Sequence, residues 1–409
     1  MTQPRTDPMA DAKSDAKMTD AKTTALIHHR YQPPAGFGSV QPAVHKASTV
    51  VFDNVAAMRA RDWKSRTGYT YGLHGTPTTF TLEQRIAALE GGTHCALVPS
   101  GLAAITLVDM ALLKSGDEVL IPDNAYGPGK DLARRQLARW GIGHRFYDAN
   151  DAQSLAAMIS PATRLVWVEA AGSVTMEFPD LRTLVRIARD KGVTVALDNT
   201  WGAGLAFEPF DLGGGLAVDI SVHALTKYPS GGGDVLMGAV TTREPGLHQR
   251  INETHMVMGW GVGGNDVEMV LRSLPSMALR YAAQDRTGRA VAEWWTRRPE
   301  VAQVLHPALP GSPGHAHWAA LCTQAAGLFS VVFDERFGTP EVDAFVDALA
   351  LYKIGSSWGG PTSLVVPYQL ASLRTQPAWR GTVVRFSMGL EAADDLIADA
   401  EQALLAMKR

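Results

Sequence analysis

Short apolar runs recur between about positions 60 and 270, each separated from the next by a longer stretch whose apolar residues fall at helical spacing. Residues 118–121, 165–168 and 193–197 are the clearest, with Val, Leu and Ile at most positions. Runs of that kind read as strands of a largely buried parallel sheet, with the helical stretches as crossovers. From about 271 the rhythm changes. Residues 328–333 and 383–387 read as strands, with helices between and after them. The pattern predicts an α/β protein: a mainly parallel central sheet flanked by helices over 61–270, then a smaller α+β domain over 271–409. The Trp294-Trp295 pair reads as helix packing.

The start of the chain follows neither pattern. Residues 1–23 alternate Asp, Lys, Ala and Thr and read as a disordered tail. Residues 24–60, with His28, His29, Pro33, Pro34 and Pro42, have no core of their own. They read as an arm laid across a neighbouring subunit.

Composition narrows the class. A chain of 409 residues can bury a large core. A net charge of −3 gives no drive towards nucleic acid or an anionic membrane. Cys95 and Cys322 are too far apart to form a metal motif or a disulfide framework, and they fit a reducing compartment. No run approaches the length of a membrane span, and the first 25 residues lack a signal-peptide core. The expectation is a cytoplasmic enzyme.

Three features carry chemistry. The run from Asp219 to Asp234 places Thr226-Lys227 at the end of a β-rich segment, immediately before a glycine cluster. A lysine there suits covalent attachment to an aldehyde cofactor, with the threonine reaching a phosphate; the plainer reading is a solvated lysine in a glycine loop. Upstream, 193–197 ends in Asp198, as a buried parallel strand does when it delivers a carboxylate to the edge of a sheet. An acid there can pair with the ring nitrogen of pyridoxal 5′-phosphate (PLP), or simply cap the following turn. Third, 95–99 reads as a strand and Ser100-Gly101-Leu102 opens a helix whose first amides can hold a phosphate. Lysine and acid together favour the cofactor reading. Gly261-Val262-Gly263-Gly264 lacks the strand and acid of a dinucleotide loop and reads as a flexible edge of the active site. His315 and His317 read as surface histidines, so no metal is expected.

A wider set of ordered motifs runs through Tyr71-Gly72-Leu73-His74-Gly75-Thr76, Leu89-Glu90-Gly91-Gly92, Asn124-Ala125-Tyr126 and Gly172-Ser173-Val174-Thr175-Met176-Glu177. It continues through Asp198-Asn199-Thr200-Trp201, Thr226-Lys227-Tyr228, Ser357-Trp358-Gly359-Gly360 and Val384-Arg385-Phe386-Ser387. On these residues the chain, from about position 24 onward, resembles the Cys/Met metabolism branch of the fold-type I PLP enzymes. The resemblance implies that Lys227 holds PLP and moves protons, Asp198 pairs with the ring nitrogen, and Tyr126 stacks on the ring. It implies Gly101, Leu102 and Thr226 at the phosphate, with Tyr71 reaching the phosphate of a neighbouring subunit. Arg385 would clamp the substrate α-carboxylate, and Ser357 and Trp358 would line the pocket, with Tyr126 helping to position the incoming amine. Ser357-Trp358 and Thr175-Met176-Glu177 lean towards members that β-eliminate L-cystathionine to L-homocysteine, pyruvate and ammonia, a step of methionine biosynthesis. Cysteine or cystine desulfhydration is a further capacity of such a pocket. The γ-eliminating and γ-replacing members are the alternative reaction, and a PLP-fold regulator is the alternative class. The family implies a homotetramer, built as a dimer of dimers. Two departures stand out: Leu73 where many members carry arginine, and Ala224 where many carry serine. Residues 213–217 read as an inserted surface loop.

Overall fold

The computed structural model describes residues 21–28, 34–62, 68–369, 374, 379 and 381–408. Seven strands form the larger sheet: β1 (His94–Val98), β2 (Glu118–Pro122), β3 (Gly143–Tyr147), β4 (Thr163–Glu169), β5 (Thr194–Asp198), β6 (Ile220–His223) and β7 (Gly238–Thr242). Their order is β1-β7-β6-β5-β4-β2-β3. The run from β6 to β3 is parallel throughout, as the apolar runs predict. β7 is antiparallel to both β6 and β1. The reason is local. No helix separates β6 from β7, so the chain has no crossover and can only return antiparallel. That uncrossed link, residues 224–237, carries Lys227.

Helices cover both faces of this sheet. In Leu181–Asp190, Leu181, Leu184, Val185 and Ala188 are buried, an apolar stripe at helical spacing turned to the core. Asp180 caps its start, accepting the Thr183 N–H at 3.1 Å. Ser100 does the same for Gly101–Leu112, accepting the Ala103 N–H at 3.0 Å. The Gly213, Gly214 and Gly215 stretch is exposed and left-handed in backbone, as expected of a surface loop.

The long helix Met277–Trp295 leads to a second sheet of β8 (Val301–Leu305), β9 (Leu328–Phe333), β10 (Lys353–Ile354), β11 (Leu364–Gln369) and β12 (Thr382–Ser387). The order is β10-β11-β12-β9-β8, antiparallel except for the β10–β11 pair. Its core is aromatic: Trp295 is fully buried against Phe333, Phe345 and Phe386, with ring centroids 5.6 to 5.8 Å apart. This is the packing role read for the tryptophan pair.

Residues 1–20 of the expected tail lie outside the described residues. The helix Ala21–Ile27 begins inside the stretch read as tail. It docks on its own chain, with Leu26 buried in the larger core and the Lys22 ammonium 3.2 Å from Glu208. Beyond it the segment turns Phe37, Val40 and Val51 to solvent.

Candidate active site

The parallel strands β4 and β5 end at Glu169 and Asp198, and β6 ends nearby at His223. Open α/β sheets place ligands at such carboxyl ends. Here the strand ends border a cavity of about 580 Å³. Its walls include Gly101, Leu102, Tyr126, Asp198, Thr226, Lys227, Ser357, Trp358 and Arg385, nine of the ten residues singled out in the sequence.

Asp198 caps the turn and also lines the cavity. Its Oδ1 accepts the Thr200 N–H at 3.0 Å, which is the turn cap, while its carboxylate also lines the cavity. Burial raises its pKa, and the Thr200 contacts and His223 pull it back. Beneath it, Glu90 is fully buried and receives Asn199 Nδ2 at 2.9 Å and Ser221 Oγ at 2.7 Å. The His223 ring lies 3.0 Å from the same carboxylate.

Lys227 sits in a turn past the end of β6, so the β-rich segment stops at His223 and not at the lysine. The turn closes on itself: Lys227 donates its N–H to Ala224 O at 3.1 Å, and Ser230 Oγ donates to Thr226 O at 2.9 Å. Its ammonium donates to Ser357 Oγ at 2.8 Å and lies 5.4 Å from the Trp358 ring centre. Burial, helped by the Arg385 charge, pulls its pKa down to about 8 against the opposing pull of Asp198. Ser357 holds a left-handed backbone, φ 129°. In a residue other than glycine that conformation stores strain of about 1–3 kcal/mol.

At the other end, Ser100 uses its hydroxyl on Ala103, leaving the first-turn amides of Gly101 and Leu102 unused by the helix. Gly101 has to be glycine, since a Cβ there would stand 2.7 Å from the Ala224 Cβ. Thr226 lines the cavity, but its hydroxyl is engaged by the backbone of Met237, donating at 3.2 Å and accepting at 3.1 Å. Tyr126 forms the opposite wall, 42% exposed, with its backbone N–H donated to Glu169 Oε2 at 2.8 Å. Arg385 reaches in from β12, buried, with its guanidinium 5.4 Å from the Tyr368 ring centre. It has no acidic partner among the described residues, so a buried cation faces the cavity and calls for an anion. Tyr71 is the exception. It lies outside this cavity, 45% exposed, beside a separate one of about 540 Å³ with Thr70, His74 and Met256.

Neither departure brings a new cation in. Leu73 packs toward Gly261, and the His74 ring is 2.9 Å from Thr70 Oγ1. Val262, Gly263 and Gly264 border another cavity with His45, Lys46 and Ser48, and not the active-site cavity whose edge they were expected to form. His315 is 2.9 Å from Pro307 O. Two features escaped the sequence reading. Glu169 ends β4 beside Asp198. Arg374 forms a buried ion pair with Glu177, 2.6 Å, at the end of the loop that walls the cavity.

The donor set fits PLP on this structure's own terms. A helix start with free amides, able to hold a phosphate, a half-buried acid, able to pair with a ring nitrogen, and a desolvated amine all line the one cavity.

Comparison with known proteins agrees. The family model for the Cys/Met metabolism PLP-dependent enzymes matches residues 23–405. Cystathionine β-lyase of Bordetella avium is 38% identical over 96% of this chain and 98% of its own length. Cystathionine β-lyase of Escherichia coli is 33% identical over 96% and 98%. Among solved structures, cystathionine γ-synthase of Xanthomonas oryzae pv. oryzae, in complex with aminoacrylate and cysteine, superposes with a TM-score of 0.86. It is 27% identical, over 95% of this chain and 98% of that one.

Proposed function

The chain belongs to the Cys/Met metabolism PLP-dependent enzyme family, and from that membership we propose that it is a cystathionine β-lyase. It cleaves L-cystathionine to L-homocysteine, pyruvate and ammonia. One observation carries the reading beyond the family: the Lys227 amine, Ser357, Trp358 and Arg385 converge on one cavity. The relatives named for β-elimination, alike over nearly the whole chain, support the same reaction.

When bound, PLP supplies the electron sink for negative charge at the substrate Cα. The chain's residues do the rest. Arg385 holds the substrate α-carboxylate with its planar guanidinium, and that fixes Cα within reach of Lys227. The Lys227 amine takes the Cα proton. With its pKa near 8, about a tenth of the free amine is neutral at pH 7, where an ordinary lysine would be almost wholly charged. Protonated, the same group lies where it can hand the proton to the departing sulfur. Asp198 holds the ring nitrogen, Gly101 and Leu102 the phosphate, and Tyr126 the ring face. Ser357 anchors the Lys227 ammonium at 2.8 Å between these steps, and Trp358 closes the pocket around it.

Tyr71, with no place in its own cavity, fits a site shared between subunits, as in a homotetramer built from dimers. A cytoplasmic location suits the chemistry, and no helix among the described residues is long and apolar enough to cross a membrane. The test is product analysis with L-cystathionine. Pyruvate with homocysteine is expected. Predominant 2-oxobutyrate with cysteine would move the enzyme to γ-elimination and refute the role given to Trp358.

A further inference from the structure

Beside Asp198, at the paired position on β4, stands a second acid that the chemistry above leaves unused. Glu169 and Asp198 are register partners in a parallel pair and both line the cavity. The Tyr126 backbone N–H is bonded to Glu169. A narrow pocket behind Tyr126, bordered by Asp109, Trp167, Glu169 and Asp198, continues the acid-lined space.

We propose that Glu169 is a positioning residue: as a neutral acid it fixes Tyr126 over the cofactor ring and leaves the negative charge of the pair on Asp198. The inference rests on the PLP-dependent reading. Two carboxyl groups side by side at the half-buried edge of a cavity do not both ionise readily, and their surroundings decide which one does. Burial and the Glu90 charge also push Asp198 up, but two contacts from Thr200 and the nearby His223 ring favour its charged form, which gives it the better case. Glu169 is dominated by burial and by the Asp198 charge. Lys130 and the amides of Tyr126 and Ser173 oppose these without outweighing them. Asp109, the other acid facing this space, is itself buried under the Trp167 indole N–H, 2.9 Å away, and pushed up to about 7. Lys227 and Arg385 stand across the cavity.

The tyrosine needs the anchor. Tyr126 precedes the short helix Gly127–Leu132 without a side-chain capping bond, and 42% of it is exposed. Its carbonyl accepts the Gly129 and Lys130 N–H groups at the helix start, and the bond from its own N–H to Glu169 ties that backbone to the end of the sheet.

The experiment compares Glu169→Ala and Glu169→Gln with the wild-type holoenzyme. It reads the PLP dissociation constant, kcat and KM for L-cystathionine, and the pH dependence of the bound-cofactor absorbance. Loss of the hydrogen bond to the Glu169 carboxyl predicts PLP binding weakened about tenfold in Glu169→Ala, with kcat reduced. Glutamine offers the same acceptor without charge, so it is expected to restore most of both. The wild-type cofactor absorbance should also carry one pH-dependent change, from Glu169 ionising as the pH rises, that Glu169→Gln lacks. If Glu169→Gln is as impaired as Glu169→Ala, the role needs the charge and the proposal is overturned. Wild-type PLP affinity and turnover in Glu169→Ala overturn it equally. Absence of pyruvate from wild type would instead refute the reaction assigned above, since PLP affinity still reports on Glu169.

Discussion

Replacing Gly359 by alanine adds a methyl group where the loop after β10 comes closest to the lysine turn. The glycine has a left-handed backbone, φ 77°, and a Cβ there would stand 2.9 Å from the Tyr228 nitrogen and 3.0 Å from the Lys227 carbonyl carbon. The first term is conformational, about 1–2 kcal/mol for a residue other than glycine in that region. The second is steric. Both obstructing atoms are backbone, so loop and turn must part by roughly half an ångström or more to reach ordinary contact, at about 1–3 kcal/mol. The two together give about 2–5 kcal/mol. If the loop shifts instead, Ser357 and Trp358 move away from the Lys227 amine, and a misplacement approaching 1 Å costs up to about a hundredfold in rate. The assay therefore reads both quantities: the urea midpoint of unfolding, and kcat/KM for L-cystathionine. Gly360→Ala is the control, since a Cβ there would meet nothing nearer than 3.8 Å and the backbone φ is ordinary. If Gly359→Ala matches wild type in both stability and kcat/KM, the close approach of loop to lysine is refuted.

Two further outcomes follow from the charges. The Lys227 amine is charged below its pKa of about 8 and neutral above it, and only the neutral form can attach to an aldehyde. The rate at which cofactor-free enzyme takes up PLP should therefore rise about tenfold per pH unit up to pH 8 and then level off; a profile still climbing steadily to pH 10 would show an unperturbed lysine. Arg374→Ala strands the buried Glu177 carboxylate and should cost about 3–5 kcal/mol in equilibrium unfolding, with Glu177→Gln recovering part in a double-mutant cycle. A cost under about 1 kcal/mol would mean that the pair contributes little.

What the sequence disclosed depended on whether a signal was local. The strand ending at Asp198 was legible because an apolar run with an acid at its end is itself the pattern of a buried strand meeting a site. The helix start at Ser100-Gly101 was legible for the same kind of reason. The reversal of β7 left only a missing helix between 223 and 238 as its trace. The position of Lys227 past the strand end depends on the turn bonds of Thr226 and Ser230, which no periodicity records. Arg385 came from family resemblance alone: within a buried strand, nothing about Val384-Arg385-Phe386 says that its guanidinium opens on a cavity. Glu169 gave no signal, because an acid at a strand end acquires meaning only once its register partner is known to be Asp198.

The same distinction explains how the cavity is built. The side proposed for the cofactor is made by the larger sheet, where adjacent strand ends and one helix start fix Asp198, Glu169 and the amides of Gly101 and Leu102 relative to one another. The side proposed for the substrate comes from the second sheet and the loop after β10, through Arg385, Ser357 and Trp358. Lys227 belongs to the first side but is bonded to the second. The fasteners between the sides cluster around it. The Tyr228 hydroxyl accepts the Gly327 N–H at 2.9 Å, and Gln284 Nε2 donates to Gly360 O at 2.7 Å. Arg280 Nη1 donates to Tyr228 O at 2.9 Å. In the proposed reaction Lys227 serves a cofactor held by the first side and a substrate held by the second, so it has to be held to about half an ångström against both. The structure achieves this by packing the residue after the lysine into the core that joins the two sheets.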